Sequence, residues 1–284
     1  MLTIRGTDVV DNSEVGRKLG GLVDVRLTKL ENSFLMTYAD SPPSRHAVLY
    51  GEDRPEDWQD SPNCCLLMFG QRMRYSEELD TILVDEPKLL CSNLTSQYEK
   101  NWSPWLHQDK VNISYHLTPR HIAFQPIGAS DQCTFQESSQ PSIFEQIADH
   151  FSNRAYISLS TPSIQLNEIE YIAAGHIKIF PEELPTWIKS MPHHANGLVY
   201  LMFLYTFDPV TLNIIRTTDA FLPPTTQVAV VYPVGLTMNR DNVIVSYGEA
   251  DREMKLLFIN KSRLDDMLIK DQTLDTFGFA KYSE

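Results

Sequence analysis

The sequence has few cysteines and no long apolar run. Only Cys64, Cys65, Cys91 and Cys133 occur among 284 residues, too few for a fold held by a disulfide framework. No Cys-x-x-Cys pair is present, which argues against a structural zinc site. No stretch approaches the roughly 18 apolar residues of a membrane span, and the first residues lack the basic-then-apolar order of a signal peptide. We therefore expect a cytoplasmic protein without a membrane span.

Positive charge is also scarce. The chain carries 24 Lys and Arg against 37 Asp and Glu, a formal net charge of −13. Such a chain repels phosphate backbones unless it has a local basic patch, and the sequence contains no Lys/Arg cluster. We expect no nucleic-acid partner.

Common cofactor and nucleophile motifs are missing as well. There is no Gly-x-Gly-x-x-Gly, no Walker loop and no Gly-x-Ser-x-Gly. His193 and His194 are adjacent, so in a strand they would point in opposite directions, and no third ligand lies near them in the sequence. The sequence thus predicts no metal and no organic cofactor.

Aromatic residues are plentiful, with 12 Tyr, 13 Phe and 4 Trp, and they favour strands. Short β-branched and aromatic runs separated by turn residues predict strands along most of the chain. The predicted strands are 33–38, 64–69, 112–116, 121–124, 171–179, 198–207, 227–232, 243–247 and 255–260. Three segments predict short helices, at 142–151, 182–189 and 262–270.

Many short strands predict an all-β fold, either a sandwich or a radial propeller. An immunoglobulin-type sandwich needs about 100 residues, whereas repeated blades of about 40–50 residues would use the whole chain. The 17 Pro are scattered through turns, and no Pro/Gly/Ser-rich linker divides the sequence. We expect one domain over residues 1–284. Periodicity alone does not give the number of blades.

The first candidate site segment is Val23–Leu27. Asp24 and Arg26 are two apart on an extended segment, so their side chains are expected on the same side of a strand. They could face one cavity together, or they could form an ordinary surface ion pair.

The second candidate segment contains Glu99, Lys100, Asn101, Trp102 and Trp105. Sugar rings have apolar C–H faces and a rim of hydroxyls, so stacked aromatic rings with nearby polar groups suit them. The alternative is that both Trp side chains fill the core of a sheet.

Two later segments complete the set. His176 and Lys178 share one face of a predicted strand, although a lone His is more often structural than catalytic. Tyr247 precedes Gly248, and Glu249 and Asp251 follow it. Acidic residues at that place are either turn formers or members of a site.

Taken in this order, the segments resemble the β-propeller clan that groups the mannoside phosphorylases and hydrolases of glycoside hydrolase family 130 with related mannosyltransferases. The clan's early Glu-Asp-Pro-Arg-Leu motif stands here as Val23–Leu27, and its Glu-Lys-Asn-Trp motif is intact at Glu99–Trp102. Pro119-Arg120-His121 corresponds to the Pro-His that follows. Thr161-Pro162 with Gly175-His176, and Ser246-Tyr247-Gly248 with Asp251, match the remaining motifs.

The resemblance implies a five-bladed β-propeller with a few short helices in its connections and a site at the central channel. Few residues precede Asp24, so the first blade looks short at the N-terminus, with a strand near Leu2–Arg5 or a C-terminal strand completing it. We expect Lys100, His176 and Tyr247 to line one cavity with Asp24.

The resemblance also implies an activity, namely an inverting carbohydrate-active enzyme acting on mannoside-like glycosides with Asp24 as the single general acid. Phosphorolysis would take inorganic phosphate as co-substrate, and Lys100, Arg120, His176 and Lys178 are the cations that could bind it. Hydrolysis would need a second carboxylate, from Glu249 or Asp251. The expected substrate-binding residues are Arg26, Glu99, Lys100, Asn101, Trp102, Arg120, His176, Lys178, Tyr247 and Asp251.

Two alternatives stay open at this stage. One is a sugar transferase (glycosyltransferase) built on the same propeller, and the other is a propeller without catalysis that binds a glycan or a protein. The sequence is compatible with an oligomer but does not identify the oligomeric state, the sugar or the linkage.

Overall fold

The computed structural model describes residues 23–40, 67–78, 80–85, 88–91, 101–126, 132–151, 154–194, 197–270 and 272–281. Strands make up 53% and helices 11% of these described residues, which confirms the predicted all-β class with a few short helices. Over the described ranges, no helix is both long and apolar enough to cross a bilayer. The expected strand near Leu2–Arg5 lies outside the described residues.

Antiparallel hairpins dominate the architecture. In chain order the strands are β1 (Val23–Lys29), β2 (Phe34–Asp40), β3 (Leu67–Ser76), β4 (Thr81–Val84), β5 (Lys88–Leu89), β6 (Ser103–His107), β7 (Lys110–His116), β8 (Ile122–Pro126), β9 (Cys133–Glu137), β10 (Ala155–Leu159), β11 (Ile164–Gln165), β12 (Tyr171–Ile179), β13 (Val199–Phe207), β14 (Ile214–Thr217), β15 (Ala220–Leu222), β16 (Val231–Met238), β17 (Asn242–Glu249), β18 (Glu253–Asn260), β19 (Ile269–Lys270) and β20 (Phe279–Lys281). The α-helices are α1 (Ile143–His150), α2 (Thr186–Lys189) and α3 (Lys261–Met267).

The described strands form four sheets. One has the order β1-β2-β3-β4 with β5 beside β3, and another has the order β6-β7-β8-β9. An eight-stranded sheet is built on β10-β12-β13-β14-β19, with β11, β15 and β20 added to it, and β16-β17-β18 form a three-stranded sheet. Most neighbours in a sheet are also neighbours in the chain, as in the up-and-down blades of radial β folds.

The chain groups into two compact units. The first contains residues 1–100 and 126–133, and the second contains residues 101–125 and 134–284. The core of the first includes Tyr38 stacked on Phe69 at 5.9 Å between ring centres, and a disulfide joins Cys91 to Cys133. The single-domain organisation stays a prediction.

The core of the second unit is centred on β12 and β13, in which most residues are buried. The helix α1 packs against β13 through Phe144, which lies 4.6 Å from Phe203 between ring centres. Near-continuous apolar runs of this kind are typical of strands that are covered on both faces. Polar side chains within β12 therefore need buried partners.

Most predicted elements are present, and their deviations have local causes. The predicted helix 182–189 is divided into a 3₁₀ turn, Pro181–Glu183, and α2, because Pro185 between them has no N–H to continue a helix. The helix predicted to reach residue 270 ends at Met267, since Ile269–Lys270 form β19 and pair with β14. The strand predicted from residue 227 begins only at Val231.

Candidate functional site

His176 is held in the middle of β12. It is fully buried, and its Nδ1 atom lies 2.7 Å from the hydroxyl of Ser160, which follows β10. In the antiparallel register it stands opposite Ser158 and Met202. The bond to Ser160 fixes the orientation of the imidazole ring within the sheet.

Two tyrosines surround the His176 ring. The ring centre of Tyr232 lies 4.8 Å away, with the planes tilted by 59°. That of Tyr200 lies 6.1 Å away, with the planes nearly parallel at 8°. Both tyrosines are partly exposed, so each has an apolar ring and a polar tip within reach of a ligand.

Asn101 is brought to the same place by Tyr232. The Tyr232 hydroxyl donates to Asn101 Oδ1 at 2.7 Å, and Asn101 is 8% exposed. Asn101 has φ +61°, a left-handed conformation that Asn tolerates better than most residues. The Glu99–Trp102 motif thus reaches this position through its Asn, while Glu99 and Lys100 lie outside the described residues.

Charged groups stand around Tyr200. Lys178 Nζ lies 5.2 Å from the centre of the Tyr200 ring, a cation–π geometry. The imidazole of His194 lies 5.4 Å from the same ring, and its Nε2 is 3.6 Å from Asp251 Oδ2. Because His176 and Lys178 both meet Tyr200, they lie on one face of β12.

These contacts define what we call the His176 cluster, which lies entirely in the second unit. It combines aromatic faces, hydrogen-bonding groups, a cation and a carboxylate within a few side chains, a combination that suits a ligand with an apolar face and a polar rim. Its members are Asn101, His176, Lys178, His194, Tyr200, Tyr232 and Asp251.

Glu249, one of the two carboxylates considered for hydrolysis, is engaged in the framework. It is 4% exposed and accepts from the backbone N–H groups of Gln227 and Val228 and from Lys255 Nζ. Burial raises the pKa of this carboxyl, but the hydrogen bonds from Lys255 and the two N–H groups outweigh it and hold the pKa below its usual value. The same bonds hold residues 227–228 outside the sheet, which explains why β16 starts late.

Tyr247 is 1% exposed and stands opposite Pro233 of β16 and Lys255 of β18. It belongs to the hydrophobic core of the second unit. The cavity expected to join Tyr247 and His176 to Asp24 and Lys100 involves side chains outside the described residues, so it stays a prediction.

Both Trp residues of the second segment pack inside the protein. Trp102 is 2% exposed, and its ring lies edge-on to Phe124 at 4.9 Å between centres. Trp105 is equally buried, and its Nε1 donates to Ser114 Oγ at 3.2 Å. A ring enclosed in this way has no free face for a sugar, so these positions favour the core interpretation over the binding one.

Arg120, one of the expected substrate-binding residues, lies at a turn and is bonded to backbone carbonyls. Its guanidinium donates to the carbonyl oxygens of Ser138 and Ser139 at 3.1 and 2.8 Å, and its Nε is 3.5 Å from a Glu137 oxygen. These bonds tie the turn at Arg120 to the segment after β9. Its use as a phosphate ligand would require these bonds to be replaced.

In the first unit, β1 contains Asp24 and Arg26, but the side chain of Asp24 lies outside what the structure describes. Arg26 is 1% exposed, and its Nη1 donates to the carbonyl of Val25 at 3.3 Å. The register between β1 and β2 shifts by one residue between Val23 and Arg26, which interrupts the regular alternation of side chains. The expectation that Asp24 and Arg26 share a side relied on that alternation.

The structure brings together four of the sequence-predicted residues, namely Asn101, His176, Lys178 and Asp251. Their neighbours Tyr200 and Tyr232 had no local signal, because each lies in or beside an apolar run typical of a core strand. His194 was considered only as half of a metal pair. Among the described residues, no three His, Cys, Asp or Glu side chains converge as metal ligands.

No model of a known protein family and no curated protein matches the chain. Solved structures do. A glycosyl hydrolase from Bacteroides ovatus is 12% identical with a TM-score of 0.51, over 89% of this chain and 69% of that chain. A structure of the GH130 family of mannoside phosphorylases, which contains hydrolases that target β-1,2 mannosidic linkages in Candida mannan, is 14% identical with a TM-score of 0.53, over the same shares.

The chain therefore has the fold of these glycoside hydrolase structures, which confirms the resemblance read from the motifs at the level of the fold. Identities this low establish the fold alone. The number of blades stays a prediction.

Proposed function

We propose that this chain is a carbohydrate-active enzyme that acts on mannoside-like glycosides, and that the His176 cluster binds the sugar. The observation that carries the proposal is the arrangement of Tyr200 and Tyr232 around His176, with the Tyr232 hydroxyl bound to Asn101. Aromatic faces take up the C–H face of a pyranose, and the Asn101 amide and the Lys178 ammonium bind its hydroxyls. The fully buried His176 imidazole packs against both tyrosines and positions them. The shared fold supports this reading.

The proton donor in this proposal is Asp24, as the resemblance of Val23–Leu27 implies. If the reaction is hydrolysis, Asp251 is the better second carboxylate, because its side chain is 77% exposed beside His194. Glu249 is held by Lys255 and backbone N–H groups. If the reaction is phosphorolysis, Lys178 is the described cation best placed to bind phosphate.

An assay with three arms tests the proposal. The protein is incubated with β-1,2-mannobiose alone, with mannobiose plus inorganic phosphate, and with GDP-mannose plus a mannoside acceptor. Release of mannose in the first arm indicates hydrolysis, release of mannose 1-phosphate in the second indicates phosphorolysis, and glycan extension in the third indicates a transferase. If the protein binds the sugar but forms no product in any arm, the non-catalytic propeller is the remaining alternative. If it shows no binding and no product, the proposal is rejected.

Asp24→Asn tests the proton donor within the active arm. The amide keeps the size of the side chain but cannot release a proton, so turnover should fall 10²- to 10⁴-fold, about 3–5 kcal/mol of barrier. The melting temperature should not change. The matched control is Asp109→Asn, at an exposed turn residue whose φ of +60° Asn accepts, and it should leave turnover unchanged. Unchanged turnover in Asp24→Asn would reject Asp24 as the acid.

A further inference from the structure

Three side chains form a row across neighbouring strands of the eight-stranded sheet. Tyr156 of β10 stands opposite Lys178 of β12, and Lys178 stands opposite Tyr200 of β13. Residues directly opposite each other in antiparallel strands project from the same face of the sheet. The row therefore continues the His176 cluster sideways, from Tyr200 past Lys178 to Tyr156.

Tyr156 is the exposed end of this row. It is 54% exposed, whereas Lys178 and Tyr200 are partly buried. A single exposed aromatic side chain needs no explanation. Tyr156, however, is aligned by the sheet register with two members of a cluster that already has the composition of a sugar site. It adds to the row a second tyrosine ring besides that of Tyr200.

The spacing of the strands sets the length of ligand that could use both rings. Neighbouring strands are about 4.8 Å apart, so Tyr156 and Tyr200, with β12 between them, are about 10 Å apart along the row. One pyranose ring is too short to meet both tyrosines. Two linked sugars are long enough, with Lys178 between them.

We propose that Tyr156 forms a second sugar-binding position and that the ligand is an oligosaccharide of at least two units laid across Tyr156, Lys178 and Tyr200. The exposed ring of Tyr156 takes the apolar face of one sugar, and the partly exposed Tyr200, with Lys178 over its ring, contacts the other. The Lys178 ammonium has three donors and binds hydroxyl or glycosidic oxygens at the junction. This inference rests on the proposed function and adds the minimum length of the ligand.

Calorimetric titration with mannose and with uncleavable, thio-linked β-1,2-mannobiose and mannotriose tests the row. The wild-type protein should bind the disaccharide more tightly than mannose. Tyr156→Ala should lose roughly 3- to 10-fold in affinity for the di- and trisaccharide, equivalent to about 0.7–1.4 kcal/mol, with its affinity for mannose unchanged. Tyr156→Phe keeps the ring and should retain most of the binding.

The matched control is Phe258→Ala, which removes a ring that is 56% exposed on β18 of another sheet. It should not alter binding of any of these sugars. If Tyr156→Ala weakens all lengths equally, or none, the row is rejected while the proposed function stands. If the wild-type protein binds no sugar of any length, both are rejected.

Discussion

At the scale of single residues, two partly buried hydrogen bonds of equal length allow a test of the His176 cluster, because only one of them belongs to it. The Tyr232 hydroxyl donates to Asn101 Oδ1, and the Tyr171 hydroxyl donates to the Leu106 carbonyl, both at 2.7 Å. Replacing either Tyr by Phe should cost about 1 kcal/mol of stability. Only Tyr232→Phe should also weaken sugar binding, roughly 2- to 10-fold, because it releases both the ring and Asn101. Melting curves and titrations of the two variants measure this, and equal effects on binding would contradict it.

His121 makes stability depend on pH. It is fully buried, its Nδ1–H donates to the Leu212 carbonyl at 3.0 Å, and its Nε2 accepts from Ser114 Oγ at 2.8 Å. Burial lowers its pKa to about 4, against a smaller opposing effect of the Leu212 carbonyl. The unfolded chain takes up this proton near pH 6.5, before the folded chain does. The free energy of unfolding should therefore fall as pH drops from about 6.5 to 4, by about 3 kcal/mol.

Urea unfolding at a series of pH values between 7.5 and 4 measures this fall. His150→Gln, which removes an exposed imidazole at the end of α1, should leave the pH dependence as it is in the wild-type protein. His121→Gln should be less stable at pH 7.5 and should lose part of the pH dependence. If His121→Gln shows the same pH dependence of the free energy of unfolding as the wild-type protein, that dependence arises from other groups.

At the scale of elements, the close approach of β12 to its neighbours depends on Gly175. A Cβ atom at this position would lie 2.4 Å from the ring of Phe203 and 2.8 Å from the backbone oxygen of Ser158. The backbone atom cannot yield without disturbing the pairing of β10 with β12, so Gly175→Ala should cost about 1–3 kcal/mol.

The control for that strand pair is Gly248→Ala in β17. A Cβ there would have its nearest neighbours, two backbone oxygens, at 4.0 Å, so the change in stability should stay within about 0.5 kcal/mol. Denaturant titration of both variants gives the comparison. Equal stabilities would mean that β12 can shift relative to β10 and β13 at little cost.

At the scale of the whole molecule, the disulfide between Cys91 and Cys133 closes a loop across a sequence separation of 42. The composition did not predict this pairing. Constraining a loop of that length in the unfolded chain is worth about 4 kcal/mol in the chain-entropy model. Reductant should therefore lower the melting temperature of the wild-type protein, and it should have no effect on the Cys91→Ser, Cys133→Ser double variant.

Alkylation followed by mass spectrometry checks the pairing directly. In the untreated protein Cys91 and Cys133 should resist alkylation and become reactive only after reduction and unfolding. Free alkylation of both in untreated, unfolded protein would contradict the disulfide. Structural disulfides are rare in the cytosol, so this measurement also bears on the cytoplasmic localisation, which stays a prediction.

The five-bladed propeller also belongs to this scale, and its blade number stays a prediction. The described residues form four sheets, and one of them has eight strands, more than the four of an ordinary blade. Four of its strands, β11, β15, β19 and β20, have only two or three residues each. They are extensions of a larger sheet, and short strands of this kind leave little periodic signal in a sequence.

The sequence by itself determined the class of fold and most of its elements. Runs of β-branched and aromatic residues and the turn residues between them reflect local backbone geometry, so strands such as β12, β13 and β17 and helices α1 and α3 could be predicted. The net negative charge follows from composition, and the absence of nucleotide-binding motifs follows from the order of residues. The ordered motifs indicated the fold that the solved structures share.

Only the tertiary structure decided which of the candidate residues meet. Asn101, His176, Lys178 and Asp251 are far apart in the chain and come together because Tyr200 of β13, Tyr232 of β16 and His194, which precedes β13, lie between them. The Trp102 ring is buried beside Phe124, and the Glu249 carboxylate accepts hydrogen bonds from two backbone N–H groups and from Lys255. Register and burial depend on pairing between distant segments, and a pattern read along one segment carries no information about its partner.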